Sequence, residues 1–196
     1  MYVYGYTYIC VLLIRNTMEM IGIIKNEKGQ VVDSRQFQSL NSHLEDPKVA
    51  VCSCNRIGVL SPDDKNRSIW DRLMDQKPKA ILFLGDIVYG DNAFQAVLKF
   101  LFNYHPKFSQ IQKRFIESWQ QERLYRQAKL IPLFSIWDDH DFGFEASDKK
   151  NPYKDKMFKL FRSYYPVPTK RTNVEHGPGA SYSFRLFDRK VVMLDN

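Results

Sequence analysis

Cysteine is scarce in this sequence, and its scarcity excludes a disulfide-stabilised scaffold. Only Cys10, Cys52 and Cys54 occur among 196 residues, whereas small disulfide-stabilised domains are rich in cysteine. Cys52 and Cys54 are separated by one residue, and a bridge between them would close a small, strained ring. We therefore expect these two side chains to be free thiols, or one of them to be a metal ligand.

Long apolar runs are missing as well. No run approaches the roughly 18 apolar residues that a membrane-spanning helix requires, so no membrane span is predicted. The short apolar run at 9–14 follows no basic segment and precedes no small-residue cleavage site, so no secretory signal is predicted either. The sequence therefore leaves the compartment unassigned.

The composition that remains is that of a globular protein with an uneven charge distribution. Hydrophobic residues make up 44% of the chain, which excludes disordered and low-complexity classes. The stretches 99–131 and 148–171 hold 15 of the 29 Lys and Arg residues but only 4 of the 22 acidic ones. This basic excess indicates a solvated face or the steering of an anionic substrate. Nucleic-acid binding is a further alternative, but no recognition motif accompanies the charge, so no nucleic-acid partner is expected.

Residues 1–40 have the patterns typical of β-strands. Tyrosines alternate with other residues at the start of the chain, and the apolar segments 21–24 and 31–32 flank turn-forming residues at 26–29. The second pattern predicts a β-hairpin. Residues 41–48 are polar and include Pro47, which makes them a candidate linker.

After residue 48 the pattern changes to alternating buried strands and amphipathic helices. Apolar runs predict buried strands at 49–52, 80–84 and 132–137. Apolar residues at helical spacing predict helices at 68–76, from Phe94 to Leu101, from Ile111 towards Ala128, and at 153–165. Two further strands, 180–187 and 190–194, are predicted to be joined by Asp188 and Arg189. This order predicts an α/β domain over 49–196.

Polar side chains follow each of the three buried strands. The first strand is followed by Cys54 and Asn55, the second by the segment 85–91, and the third by the segment 138–141. Because ligands bind outside the carboxyl ends of the strands in open α/β sheets, we expect these segments to meet at one rim. Carboxylates clustered at a buried rim need a partner, so the pattern predicts a cation site.

The side chains at this rim suit metal chemistry. Carboxylate oxygens of Asp86, Asp138 or Asp139 are ligands for a hard divalent or trivalent ion. A thiolate at Cys54 and a phenolate at Tyr89 would favour iron or zinc. Asp86 lies between the other two segments in sequence and could bridge two ions, which together can activate water and neutralise a leaving oxygen on phosphate.

Three neighbouring side chains have less determined roles. His140 follows the aspartate pair and could stabilise a transition state or protonate a leaving group. Asp91 and Asp141 could each be a metal ligand or a helix cap.

These motifs resemble those of the calcineurin-like metallophosphoesterases, and in particular the PhoD-like alkaline phosphatases. The members of that group have a first strand that ends in Ser-Cys, a Gly-Asp-x-x-Tyr-x-Asp segment, a Trp-Asp-Asp-His-acid segment, and a Tyr-Ser-Phe strand followed by a strand that ends in Leu-Asp. The corresponding residues here are, in order, Ser53–Cys54, Gly85–Asp91, Trp137–Asp141, Tyr182–Phe184 and Leu194–Asp195.

The resemblance implies hydrolysis of small phosphate esters by a metal-activated hydroxide. It also implies an α/β/β/α sandwich domain at 49–196, preceded by part of an immunoglobulin-like β-sandwich domain at 1–40. Two or more metal ions are implied, Fe³⁺ and Ca²⁺ in first place and Zn²⁺ or Mn²⁺ otherwise. The implied ligands are Cys54, Asp86 and Tyr89 for the iron, and Asp86 with Asp138 or Asp139 for the second ion, with Asp139 preferred. His140 and Asp139 are the implied catalytic residues.

One part of the family's pattern has no counterpart here. The last metal motif of the family, a Gly-Asp-x-His type of segment, follows the Leu-Asp strand, and this sequence has no histidine after His176. We therefore expect the sequence to be the N-terminal part of such an enzyme. The alternative is a non-catalytic remnant with an incomplete metal site.

Overall fold

The computed structural model describes residues 8–13, 19–40, 44–55, 68–91, 101–102, 104–144, 146–165 and 174–195. Most of the helix predicted from Phe94 to Leu101 lies outside the described residues, as do Tyr2, Tyr4 and Tyr6. Among the described residues, no helix has the length and hydropathy needed to cross a membrane.

The first sheet contains the predicted hairpin. Strands β1 (Tyr8–Leu13), β2 (Glu19–Lys25) and β3 (Val31–Gln38) are antiparallel neighbours. The Asn26 side chain accepts the backbone N–H groups of Lys28 and Gln30, each at 3.0 Å, which closes the turn between β2 and β3. A short strand from later in the chain, β6 (Lys129–Leu130), pairs in parallel with β3. The first sheet is therefore completed by a segment that lies far from it in sequence.

The second sheet has three parallel strands in the order β4 (Val49–Cys52), β5 (Ala80–Leu84) and β7 (Leu133–Ile136). The connections between them carry the helices α1 (Ile69–Asp75) and α2 (Phe108–Gln121) and a 3₁₀ turn at 123–126. Helix α3 (Lys154–Tyr164) follows β7. Helix α1 begins where predicted because Ser68 and Asp71 form a reciprocal capping box.

The third sheet consists of the antiparallel strands β8 (Val174–His176), β9 (Tyr182–Leu186) and β10 (Arg189–Met193). The turn between β9 and β10 is formed by Phe187 and Asp188, so the predicted pair of Asp188 and Arg189 is wrong by one residue. Arg189 already pairs with Leu186 in the ladder. Phe187 adopts a left-handed conformation with φ of 53°, which suits a two-residue hairpin turn.

Two apolar cores lie on opposite faces of the second sheet. The helical face buries Trp70, Phe83, Phe115 and Phe161. The other face packs against the third sheet, where the Phe134 and Phe184 rings stack with centroids 4.0 Å apart. Burial of a large apolar side chain contributes about 1.5–3 kcal/mol, so these two layers hold the central strands in place.

The structure confirms a mixed α/β fold but corrects the burial of the first central strand. Val51 in β4 is 59% exposed, although an apolar run of this kind is typical of a fully buried strand. The reason is that β4 is the edge of its sheet and pairs with β5 alone among the described residues. The division into 1–40, 41–48 and 49–196 and the four-layer sandwich stay predictions.

Candidate metal centre

The ends of the three parallel strands meet at one edge of the second sheet, as predicted. The Asn55 N–H donates to the Asp86 carbonyl oxygen at 2.8 Å, which joins the segment after β4 to the segment after β5. The Gly90 N–H donates to the His140 carbonyl oxygen at 3.2 Å, which joins the segment after β5 to the one after β7. These backbone bonds hold the three polar segments together.

The tight approach of these segments explains the glycine before Asp86. A Cβ on Gly85 would lie 2.5 Å from Asp138 Cβ, and Gly85 has a φ of 88°. Asp86 and Cys54 are also left-handed, with φ of 52° and 55°. Left-handed backbone is uncommon for residues with a side chain and is concentrated at functional sites.

Asp86 has one carboxylate oxygen bonded and one open. Its Oδ2 atom accepts the Tyr89 hydroxyl at 3.3 Å and the Cys54 thiol at 3.6 Å. Its Oδ1 atom is buried and has no hydrogen-bond partner among the described residues. Burial, together with the negative charges of Asp139 and Asp138, raises the pKa of Asp86 against the opposing influence of His140. A cation at Oδ1 would satisfy the open acceptor and stabilise the ionised carboxylate.

Asp139 and His140 complete a cluster with Asp86. One potential ligand atom of each of these three side chains lies within 4.8 Å of those of the other two. The Asp139 Oδ1 atom accepts the backbone N–H of His140 at 2.8 Å, and its Oδ2 atom accepts the backbone N–H of Ala146. These bonds fix the Asp139 carboxylate towards the rim.

His140 is paired with a buried aspartate. Its Nδ1 atom lies 2.8 Å from Oδ1 of Asp91, whose side chain is only 3% exposed. The ring also packs against Tyr89, with centroids 4.1 Å apart. Burial lowers the pKa of His140, but the hydrogen bond and charge of Asp91, with the charges of Asp139 and Asp86, outweigh it and raise the pKa. Asp91 is therefore placed to control the protonation of His140.

The other two aspartates of the third segment differ in their surroundings. Asp138 lines a cleft of about 630 Å³ beside the cluster, together with Asp139 and Lys149. Asp141 is fully buried, and its two oxygens accept the N–H groups of Val88 at 2.7 Å and Asp138 at 3.1 Å. Burial raises the pKa of Asp141 to about 7. Asp141 thus fastens the segments after β5 and β7 to each other.

Asp195, the last acid of the resemblance, is also fully engaged in the fold. Its Oδ1 atom accepts the indole N–H of Trp137, and its Oδ2 atom accepts the Ala180 N–H at 2.7 Å. It lines the cleft wall. Asp195 thereby connects the end of β10 to the end of β7.

The prediction that Cys52 and Cys54 form no disulfide is confirmed. Cys52 and Cys54 are both free of disulfides. Cys54 is exposed at the rim, whereas Cys52 packs against the helical core, where burial raises its pKa.

Sequence reasoning missed one acidic residue near the rim. Glu122 follows helix α2, is 7% exposed, and accepts hydrogen bonds from the side chains of Asn55 and Trp70. These partners lie 67 and 52 residues away in sequence. No local spacing could have indicated the contact.

The donor set at the rim fits a metal ion. Carboxylates of Asp86 and Asp139, the Tyr89 hydroxyl and the Cys54 thiol lie at one edge, and the buried Oδ1 atom of Asp86 has unused acceptor capacity. Hard oxygen ligands beside a softer sulfur ligand suit iron, zinc or manganese better than an alkali ion.

Comparison with known proteins finds a structural likeness but no sequence match. No protein-family model matches the sequence, and no curated protein matches it. Among solved structures, the chain is similar to the structure of PhoD, with 15% sequence identity and a TM-score of 0.50. The similarity covers 86% of this chain and 35% of the PhoD chain, so this sequence spans about a third of that protein. At this identity the likeness supports a fold related to that of PhoD.

Proposed function

We propose that this chain belongs to a metal-dependent phosphoester hydrolase of the PhoD-like type. The observation that carries the proposal is the buried, unsatisfied Oδ1 atom of Asp86 beside Asp139 and His140, at the carboxyl edge of a parallel sheet. The fold likeness to PhoD supports it. The proposal includes the finer architecture, which is an α/β/β/α domain at 49–196 preceded by part of a β-sandwich domain at 1–40.

The residues proposed to hold the ions follow the rim. Cys54, Asp86 and Tyr89 would hold one ion, taken to be Fe³⁺, and Asp86 with Asp139 or Asp138 would hold a second, taken to be Ca²⁺. Zn²⁺ or Mn²⁺ are the alternatives. When bound, such ions supply positive charge to phosphate oxygens and lower the pKa of water.

His140 would carry the proton that the reaction moves. Because Nδ1 lies 2.8 Å from Asp91, the proton on that nitrogen is held by the buried carboxylate. This leaves Nε2 as the ring nitrogen that can donate to a leaving oxygen or to negative charge that develops on the phosphate. In the metal-free protein, the hydrogen bond and charge of Asp91 raise the pKa of His140 against the opposing effect of burial.

The cleft beside the cluster would hold the remainder of the substrate. Its charged lining residues are Asp138, Asp139, Asp148, Asp195 and Lys149. A volume of about 630 Å³ suits a small ester rather than a polymer. The substrate class proposed is therefore a small phosphate mono- or diester.

The test is a hydrolysis assay with an aryl phosphate and a bis-aryl phosphate after loading with each candidate metal. We expect turnover that depends on metal and is lost in Asp86→Ala. The matched control is Asp188→Asn, because Asp188 is exposed and pairs with Arg189 at the turn between β9 and β10. Turnover that Asp86→Ala leaves unchanged would contradict the proposal, and metal binding without turnover would favour the non-catalytic alternative.

A further inference from the structure

A buried carboxylate lies one layer behind the rim, in a place where burial is costly. Glu122 is 7% exposed, and burial raises its pKa against the hydrogen bonds from Asn55 and Trp70. Its Oε1 atom accepts the Asn55 side-chain amide at 3.0 Å, and its Oε2 atom accepts the Trp70 indole N–H. Both partners are neutral, so no opposite charge among these contacts offsets the cost of burying the carboxylate. The two hydrogen bonds show which residues the carboxylate holds in place, namely Asn55 and Trp70.

The bond to Asn55 connects Glu122 with the candidate metal centre. The side chain of Asn55 is held by Glu122, while its backbone N–H donates to the Asp86 carbonyl oxygen at 2.8 Å. The preceding residue, Cys54, places its thiol 3.6 Å from the Asp86 carboxylate. Both Cys54 and Asp86 have left-handed backbone, a conformation that persists only where surrounding contacts enforce it.

We propose that Glu122 is a positioning residue for the rim, which fixes Cys54 against Asp86 by holding Asn55. The metal part of this inference rests on the proposed function, whereas the placement of the Cys54 thiol does not. The competing explanation is that Glu122 serves only the core, by satisfying the indole N–H of Trp70. The two bonds made by Glu122 allow these explanations to be separated.

Three variants and a control test the two hydrogen bonds of Glu122 separately. Asn55→Ala removes the connection to the rim and leaves the bond between Glu122 and Trp70. Trp70→Phe removes the indole donor and leaves the bond to Asn55. Glu122→Gln keeps the size of the side chain but offers one acceptor for two donors. Asp188→Asn is the control, because Asp188 is exposed and pairs with Arg189.

Two readouts are measured on each variant of the full chain. One is the affinity for Zn²⁺ and Mn²⁺ by titration calorimetry. The other is the rate at which iodoacetamide alkylates Cys54 in the metal-free protein, followed by peptide mass spectrometry. The second readout needs neither metal nor activity, so it separates this inference from the proposed function. Thermal unfolding of every variant reports whether it is folded.

We expect Asn55→Ala and Glu122→Gln to weaken metal affinity by about 10- to 100-fold, the range found for partners that orient metal ligands. We expect both to speed Cys54 alkylation by about fivefold, because the thiol is released from the Asp86 carboxylate. Trp70→Phe should lower the melting temperature without either effect, and the control should change neither.

Unchanged alkylation and unchanged metal affinity in Asn55→Ala would overturn the inference, as would equal effects in Trp70→Phe. If Glu122→Gln fails to fold, Asn55→Ala decides alone, since its side chain is outside the apolar core. A wild-type chain that binds no metal would contradict the proposed function, and the alkylation rates would then still decide the role of Glu122.

Discussion

The segments after β5 and after β10 each carry an aspartate two residues beyond the end of the strand, yet the two carboxylates are used differently. Asp195 has both oxygens bonded, to the Trp137 indole N–H and to the Ala180 N–H. Asp86 has one oxygen bonded and the other buried without a partner among the described residues. The two bonds of Asp195 stabilise the fold by joining the end of β10 to the end of β7. A buried carboxylate with an open oxygen costs stability and is suited to a cation.

The largest expected effect is the loss of metal binding in Asp86→Asn. Loss of a residue that only orients a metal ligand weakens metal affinity by about 10- to 100-fold. We expect a larger fall in metal affinity here, because the variant removes a ligand itself. Titration calorimetry with Zn²⁺ and Mn²⁺ measures the loss. Wild-type affinity in this variant would show that the open oxygen of Asp86 is not a ligand.

The same variant should not lose stability when metal is absent. The raised pKa of Asp86 means that the unfolded chain ionises first, so the contribution of this group to stability falls as the pH rises above 3.8. The amide that replaces the carboxylate carries no charge to desolvate. Urea unfolding of metal-free protein at pH 5 and pH 8 should therefore give the variant equal or higher stability, with the larger benefit at pH 8.

Asp195→Ala should show the opposite behaviour. It leaves the N–H groups of Trp137 and Ala180 without their acceptor, which costs about 1–3 kcal/mol for each group that stays buried and unpaired. Urea unfolding should show this loss, while calorimetry should show metal affinity close to that of the wild type. If urea unfolding showed that Asp86→Asn lowers stability and Asp195→Ala does not, the roles assigned to the two aspartates would be wrong.

Asp91→Asn should lower the pKa of His140. The hydrogen bond and charge of Asp91 are the largest influences that raise that pKa, and the variant removes the charge. Titration of the His140 ring signals by NMR measures the change, and the decline of hydrolysis at alkaline pH should begin at lower pH. Asp188→Asn is the control, because Asp188 is an exposed partner of Arg189. An unchanged titration midpoint would exclude Asp91 as the controlling group.

The smallest effect is expected for Tyr89→Phe. The Tyr89 hydroxyl donates to Asp86 at a long 3.3 Å, so its removal should change the free energy of unfolding by about 0.5–1.5 kcal/mol. With Fe³⁺ loaded, a phenolate ligand gives a visible charge-transfer band, and the variant should lack it. An identical spectrum in both proteins would remove Tyr89 from the ligand set.

The meeting of the strand ends was predictable because it depends on local patterns. Apolar runs marked β5 and β7, and parallel strands bring their carboxyl ends to one edge. The exposure of Val51 was not predictable in this way, since an apolar run does not say whether a strand lies at the edge of its sheet. The exact turn residues between β9 and β10 depended on the ladder register rather than on turn preference.

The bonding of the acids was beyond sequence reasoning for a different reason. The sequence left the same two alternatives, metal ligand or helix cap, for Asp91 and Asp141, but one contacts the His140 ring and the other accepts backbone N–H groups. Glu122 meets Asn55 and Trp70 only because α2 returns to the sheet. Such contacts arise from the packing of distant segments, which no spacing within a motif reports.

The most direct test of the metal centre is one paired titration of metal-free protein, in which Asp86→Asn and Asp195→Asn are compared with the wild type. We expect the wild type and Asp195→Asn to bind Zn²⁺ or Mn²⁺ with similar affinity and Asp86→Asn to bind neither measurably. Equal affinity in all three proteins, or no binding to the wild type, would contradict a metal centre at Asp86.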